Sequence, residues 1–190
     1  MEPSSPATSL TLLDQLRQPN RPDAWKRFEQ LYTRLLQAWA RRQGFQDADV
    51  ADLVQEVFVK LMKELPHYTR TPGGTFRGWL SRLTANVCHD FRRRKATRAL
   101  PTADGLSGVN EQPPTEFEEV EYRKSLVDSG LAIIRGEFEP KTWAAFEQLM
   151  VHNRRMEEVA TALGLSKNAI YIAKNRVLTR LRQVIDGLLD

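Results

Sequence analysis

Apolar residues recur along this chain at steps of three and four, the period of one buried helix face. Leu10, Leu12, Leu13 and Leu16 predict a short first helix with Thr8 or Ser9 as cap. Pro19-Asn20-Arg21-Pro22 breaks it, and Asp23 opens a second helix with Trp25, Phe28, Leu31, Tyr32, Leu35, Leu36 and Trp39 on one stripe. Gly44 ends that stripe. A third helix is expected over about 48–65, with Val50, Leu53, Val54, Val57, Phe58, Leu61, Met62 and Leu65 inward and Pro66 as the stop. After the loop 67–75, with its Pro72-Gly73-Gly74 turn, a fourth helix runs from Thr75 to about Arg94, with Phe76, Trp79, Leu80, Leu83, Val87, Cys88 and Phe91 inward.

From 96 to 119 the periodicity vanishes, and Pro101, Gly105, Gly108, Pro113 and Pro114 punctuate polar sequence. A helix is expected over Glu118–Arg135, another after Pro140 with Trp143, Phe146, Leu149 and Met150 inward, and two more at the end. Nothing alternates with the period of a strand. The predicted class is all-α: two small helical domains, 8–96 and 119–187, joined by a flexible linker at 97–118.

The last two helices carry the marks of a helix-turn-helix. Val159, Ala160 and Leu163 give the first a face narrow enough for a close crossing. Gly164 supplies the left-handed backbone that ends it, Leu165 fills the corner, and Ser166 caps the second helix. Ile170, Ala173 and Val177 then face inward. The recognition helix of such a unit enters the major groove with its N-terminal residues on base edges. That assigns Lys167, Asn168, Tyr171 and Asn175 to bases, and Lys174, Arg176 and Arg180 to phosphates. The plainer alternative is a helical hairpin with a solvated basic face.

Charge sharpens the picture. The chain of 190 residues is 41% hydrophobic and 27% charged, ordinary for a globular protein, with a net charge of only +4. The bases are clustered, however. Between Arg77 and Arg98 seven bases stand against one acid, and between Arg154 and Arg182 seven against two, with acidic sequence between. Two basic islands suggest two polyanion contacts. In the first, Asn86, His89, Asp90, Arg92 and Arg93 share a helix with Trp79. Arginines track phosphates and aromatic rings stack unpaired bases, so this helix could hold a melted strand. Trp79 and Phe76 are more simply core, whereas His67 and Tyr68 sit in a loop that could close over an extruded base.

Three histidines, His67, His89 and His152, have no metal-ligand spacing, and the single Cys88 excludes an internal disulfide and a multi-cysteine zinc site. No acid, base or nucleophile forms a recognisable catalytic set, so an enzyme is not expected. Without an 18-residue apolar run or a signal-peptide pattern, no membrane insertion is expected and the expected place is the cytoplasm.

The combination resembles the extracytoplasmic-function (ECF) group of bacterial sigma-70 factors. Asp52-Leu-Val-Gln-Glu-Val-Phe-Val-Lys-Leu is similar to the signature of sigma region 2, and Phe76-Arg-Gly-Trp-Leu-Ser-Arg-Leu-Thr-Ala-Asn-Val-Cys-His-Asp-Phe-Arg-Arg-Arg to its promoter-melting helix. Met156 to Val177 resembles sigma region 4. The resemblance implies a subunit that binds core RNA polymerase, at the β′ coiled coil and the β flap, and promoter DNA, with an anti-sigma factor left open as a further partner and no cofactor. The face bearing Asp49, Asp52, Gln55, Glu56 and Lys60 would dock on polymerase. His67, Tyr68, Arg82, Asn86, His89, Asp90, Arg92 and Arg93 would serve the −10 element, and the seven helix-turn-helix residues above the −35 element. Ala169-Ile170 stands where the family often has Thr-Val, and Tyr171 where it often has a small polar residue, so the resemblance does not name the promoter sequence. The serious rival is a two-domain regulator that binds duplex DNA without joining polymerase. A protein-interaction module with basic surfaces is a third reading.

Overall fold

The computed structural model of the protein describes residues 11–98 and 116–189, and the described residues are helical with connecting turns. They form α1 (Leu12–Arg17), α2 (Pro22–Arg42), α3 (Asp47–Glu64), α4 (Phe76–Arg98), α5 (Glu116–Ile134), α6 (Pro140–Met150), α7 (Met156–Leu163) and α8 (Lys167–Ile185), with short 3-10 turns at Leu65–His67 and Arg135–Glu137. Thr8 and Ser9, the expected first caps, lie outside the described residues. The cap on α1 is Thr11, whose hydroxyl oxygen accepts from the Asp14 amide at 3.3 Å. Most of the expected linker, 99–115, also lies outside them. Its described ends are helical, because α4 runs on to Arg98 and α5 begins at Glu116.

The chain divides into two compact units: residues 1–125 with 187–190, and residues 126–186. The division falls inside α5, later than the 119 expected from sequence.

In the first unit, Pro22 opens α2 and Asp23 sits in its first turn rather than at its cap. The stripe Phe28, Leu31, Tyr32, Leu35, Leu36 is almost completely buried. Trp25 and Trp39 are only half-buried, at the margin of that stripe. Phe28 stacks on Tyr32 at 4.2 Å and meets Phe58 of α3 and Phe76 of α4 edge-on, at 6.3 and 6.1 Å. Edge-on contact sets the positive rim of one ring against the negative face of another, a gain of about 0.5–1.5 kcal/mol per pair beyond burial. These rings join α2, α3 and α4 into one core, which Val50, Leu53, Val57, Leu61, Leu80 and Leu83 complete. Met62, expected inward, is 55% exposed, as is neighbouring Val59 at 53%. Leu61 and Leu65 hold the buried line, and Met62 is one residue, about 100° of helix, away from it.

The start of α5 and the last residues of the chain close this unit. The buried Tyr122 hydroxyl donates to the Leu188 carbonyl at 2.9 Å. With its hydrogen so used, it accepts from the Tyr32 hydroxyl at 2.8 Å. Gly187, at φ +73°, passes against Thr11, where a Cβ would lie 2.9 Å from the threonine Cβ.

The second unit rests on Ala145 of α6, Val159 of α7, and Ile170 and Ala173 of α8, with Leu149, Met156, Leu163 and Leu165 packed around them. Phe146 is buried as expected, but Met150, expected inward, is 48% exposed at the last turn of α6. Leu126 and Ile134 of α5 are buried. Gly130 lets α8 come close: a Cβ there would meet Leu181 Cδ1 at 2.7 Å and Ile185 Cγ2 at 3.2 Å. No helix among the described residues is long and apolar enough to cross a membrane.

Candidate nucleic-acid interfaces

The corner between α7 and α8 forms as its residues dictate. Gly164 ends α7 at φ +62°, a conformation that costs a residue with a Cβ roughly 1 kcal/mol or more. The Leu165 amide donates to the Ala160 carbonyl at 3.0 Å, closing the turn, and the Ser166 hydroxyl accepts from the Ala169 amide at 3.1 Å. Ile170 and Val177 are fully buried, which fixes the rotation of α8 and leaves Lys167, Asn168, Tyr171 and Arg176 exposed. Asn168, Tyr171 and Asn175 follow at steps of three and four and share a face. Tyr171 is 52% exposed, and the Lys174 ammonium lies 5.4 Å from its ring centre.

Two of the cations on α8 have acidic partners. Lys167 Nζ contacts Glu157 Oε1 of α7 at 2.7 Å, and this hydrogen bond holds the Glu157 carboxyl below its usual range. Arg180 grips Glu137 with two nitrogens, Nε at 2.5 Å and Nη2 at 2.9 Å, which pushes the arginine further up. Arg180 therefore lines a shallow groove of about 550 Å³ with Phe138, Ile172, Asn175, Arg176 and Thr179. Sequence reasoning missed Glu137 and Glu157, since charge counting along the chain does not reveal which acids fold against which bases. It also missed Ile172, 49% exposed beside the reading face.

On α4, Arg82, Asn86, His89, Asp90 and Arg93 follow one outward arc at helical spacing. Arg82 and Asn86 are exposed, and the Arg93 side chain is 68% exposed while bonding Asp90 at 3.1 Å. The His89 ring and the Asp90 carboxylate are 4.0 Å apart. Arg92 does not join them. Its guanidinium donates to the Gln43 carbonyl and lies 4.7 Å from the Phe45 ring centre, tying α4 to the turn between α2 and α3. Below it, burial pushes the Cys88 thiol up to about 11, against the opposing pull of Arg92.

The loop after α3 is braced at both ends. His67 is exposed, while Tyr68 is half-buried with its ring 4.7 Å from Trp79 and 5.7 Å from Phe76. The Gly74 amide donates to the Thr71 carbonyl at 2.9 Å, and Thr75 caps α4 by accepting from the Gly78 amide at 3.0 Å.

The polar face of α3 is partly occupied from within its own unit. Asp49, Asp52, Glu56 and Lys60 form a stripe at steps of three and four, with Gln55 beside it. Asp52 and Gln55 are exposed. Asp49 accepts from Lys95 at 2.6 Å, and Glu56 pairs with Arg94, both at the basic end of α4. Lys60 is 4.0 Å from Glu64. Lys95 and Arg94 were not among the sequence-predicted site residues, although their opposite charge was the available signal. No cluster of side chains able to hold a metal ion is present among the described residues.

Comparison with known proteins adds a family. Residues 30–98, from α2 through α4, match the family described as Sigma-70 region 2. Over 188 residues the chain is 24% identical to the ECF RNA polymerase sigma factor SigE of Mycolicibacterium smegmatis, an alignment covering 97% of this chain and 70% of that protein. It is 28% identical over 155 residues to the RNA polymerase sigma factor CnrH of Cupriavidus metallidurans, covering 78% and 79%. A solved structure of CnrH in complex with the cytosolic domain of CnrY aligns at 23% identity with a TM-score of 0.37, covering 93% of this chain and 96% of that one. The aromatic-cored helices of residues 30–98 thus match sigma-70 region 2, and the relatives whose alignments extend beyond that match are RNA polymerase sigma factors, one of them of the ECF group.

Proposed function

We propose that this chain is a sigma factor of the ECF group, which binds core RNA polymerase through the polar face of α3 and gives it two grips on a promoter. The first unit, α4 with the 67–75 loop, opens the −10 element. The second reads the −35 element as duplex, with Lys167, Asn168, Tyr171 and Asn175 at base edges and Lys174, Arg176 and Arg180 toward phosphates. The linker at 97–118 sets the reach between them. The observation that carries this reading is the coexistence, in one chain, of a region 2 match over 30–98 and a capped helix-turn-helix at 156–185.

Physical chemistry supports the division of labour. A base contact discriminates by roughly 1–3 kcal/mol, so a single small reading helix binds weakly by itself. Tethering it to a polymerase that holds the other grip raises its effective concentration. The exposed arginines along α4 suit a phosphate backbone, and its neighbouring rings suit unpaired bases. In this reading the chain performs no catalytic step of its own and acts in the cytoplasm, where polymerase and chromosome meet. An anti-sigma factor, the further partner left open by the resemblance, would act by covering one of these faces in competition with core or DNA.

The test is transcription by core polymerase on genomic DNA with and without the chain, followed by mapping of RNA 5′ ends. The expected result is a new set of start sites preceded by a common two-part motif. Equal start-site profiles with and without the chain would defeat the proposal. A duplex-binding regulator would instead retain its DNA site in the absence of core and confer no initiation.

A further inference from the structure

The helix α1 precedes the residues matched by the region 2 family, yet it reaches the loop assigned above to an extruded base. Leu12 and Leu16 are 2% exposed and seat α1 on the first unit. Thr11 caps it, and its hydroxyl also donates to Asp14 Oδ2 at 2.7 Å. Asp14 in turn lies 3.7 Å from Arg17 Nη1. The other end of that guanidinium, Nη2, donates to the Tyr68 carbonyl at 2.7 Å across 51 residues of sequence. Its carbon is 5.7 Å from the centre of the Tyr68 ring. Arg17 therefore holds both the backbone and the ring of Tyr68, the residue that follows the 3-10 turn.

The far end of the loop is fixed independently. The Thr71–Gly74 turn leaves no room for a side chain at Gly74, where a Cβ would lie 2.4 Å from Thr71 Oγ1. Arg70 Nε donates back to the Gly74 carbonyl at 3.2 Å. Between these anchors, Thr69 to Gly73 are exposed. At the near end of this exposed arc the Tyr68 amide donates to the Leu65 carbonyl at 3.1 Å, and Arg17 adds a hold from α1, outside the loop and the helices that flank it.

We propose that Arg17 is a positioning residue for base selection at the −10 element: it sets the aperture of the 67–75 loop by clamping Tyr68 against Trp79. The inference rests on the reading that this loop holds an extruded base. A guanidinium suits the task, because one planar group donates to a carbonyl while lying beside a ring.

The test uses the full chain assembled with core polymerase on a promoter found by start-site mapping. All four bases are placed in turn at each non-template position of the −10 element. Wild type should prefer one base at the position read by the loop by about fivefold or more, the scale of a lost stacking contact. Arg17→Ala should compress that preference to about twofold or less at that position only, with core co-elution and −35 duplex binding unchanged. Arg17→Lys keeps a donor for the carbonyl and should recover part of the preference. The Arg17 side chain is already 37% exposed, so its truncation leaves the core intact, which a melting curve checks. An unchanged base preference in Arg17→Ala overturns the inference. So does an equal loss at every position in both variants, which marks general destabilisation. If wild type shows promoter-specific initiation but no base preference anywhere in the −10 element, the loop assignment falls and the inference with it, while the sigma-factor reading stands.

Discussion

Single residues in this protein do work that their neighbours cannot share. Gly130 is one: a valine there would drive its side chain into Leu181 and Ile185, where even a Cβ meets carbon at 2.7 Å. Overpacking of this kind costs about 1–3 kcal/mol, so Gly130→Val should lower the melting temperature of the second unit, measured by circular dichroism. Cys88 is another. It is 1% exposed, and its thiol is pushed up to about 11 by burial. The native thiol should resist alkylation at pH 8 and react only as the first unit opens, which timed mass spectrometry reads. The sign of its pH effect follows. The folded value lies above the ordinary 9.0, so the unfolded chain gives up its proton first, and folding stability falls as pH rises from about 9 to about 11. In Cys88→Ala, that part of the alkaline loss should disappear.

Helices carry the next level of argument, and here the sequence can be judged. The stripes of α2, α3 and α8 were legible because burial repeats with the helix period, and the α7–α8 corner was legible because Gly164 and Ser166 each perform a task few residue types can. Met62 and Met150 misled because an apolar residue adjoining a buried stripe satisfies the pattern without being buried. The pairing of Asp49 with Lys95 and Glu56 with Arg94 spans 46 and 38 residues, beyond any local periodicity. So does the turning of Arg92 onto Phe45 and Gln43. These pairs change which variant tests polymerase docking. Exposed ion pairs stabilise by only about 0–1 kcal/mol, so they do not bar the proposed docking, but a Glu56 variant also disturbs α4. Asp52 is exposed, and Asp52→Lys should weaken co-elution with core while leaving the melting temperature within a degree or two. Normal co-elution would remove Asp52 from the docking face. On α8, Ser166→Ala deletes the cap and should cost the second unit about 1 kcal/mol in denaturant unfolding.

At the scale of the whole chain, the two basic islands make one prediction together. Each phosphate contact releases condensed counterions, so promoter affinity of the polymerase assembly should fall steeply with salt, in proportion to the contacts made. Changing Arg176 to Gln should reduce that slope by about one contact without changing which sequence is preferred, as binding isotherms across a salt series would show.

The seam formed by Tyr32, Tyr122 and Leu188 bears on how the molecule can be dissected. A fragment cut after Arg98 would retain every helix of the family match, yet lose the Tyr122 hydroxyl that bonds Tyr32 and the buried Tyr122 and Leu188 side chains. Trimming from the carboxyl side, from Gly187 onward, should loosen the amino-terminal half before it disturbs the helix-turn-helix, so hydrogen exchange in α2 would quicken while that in α8 stayed slow.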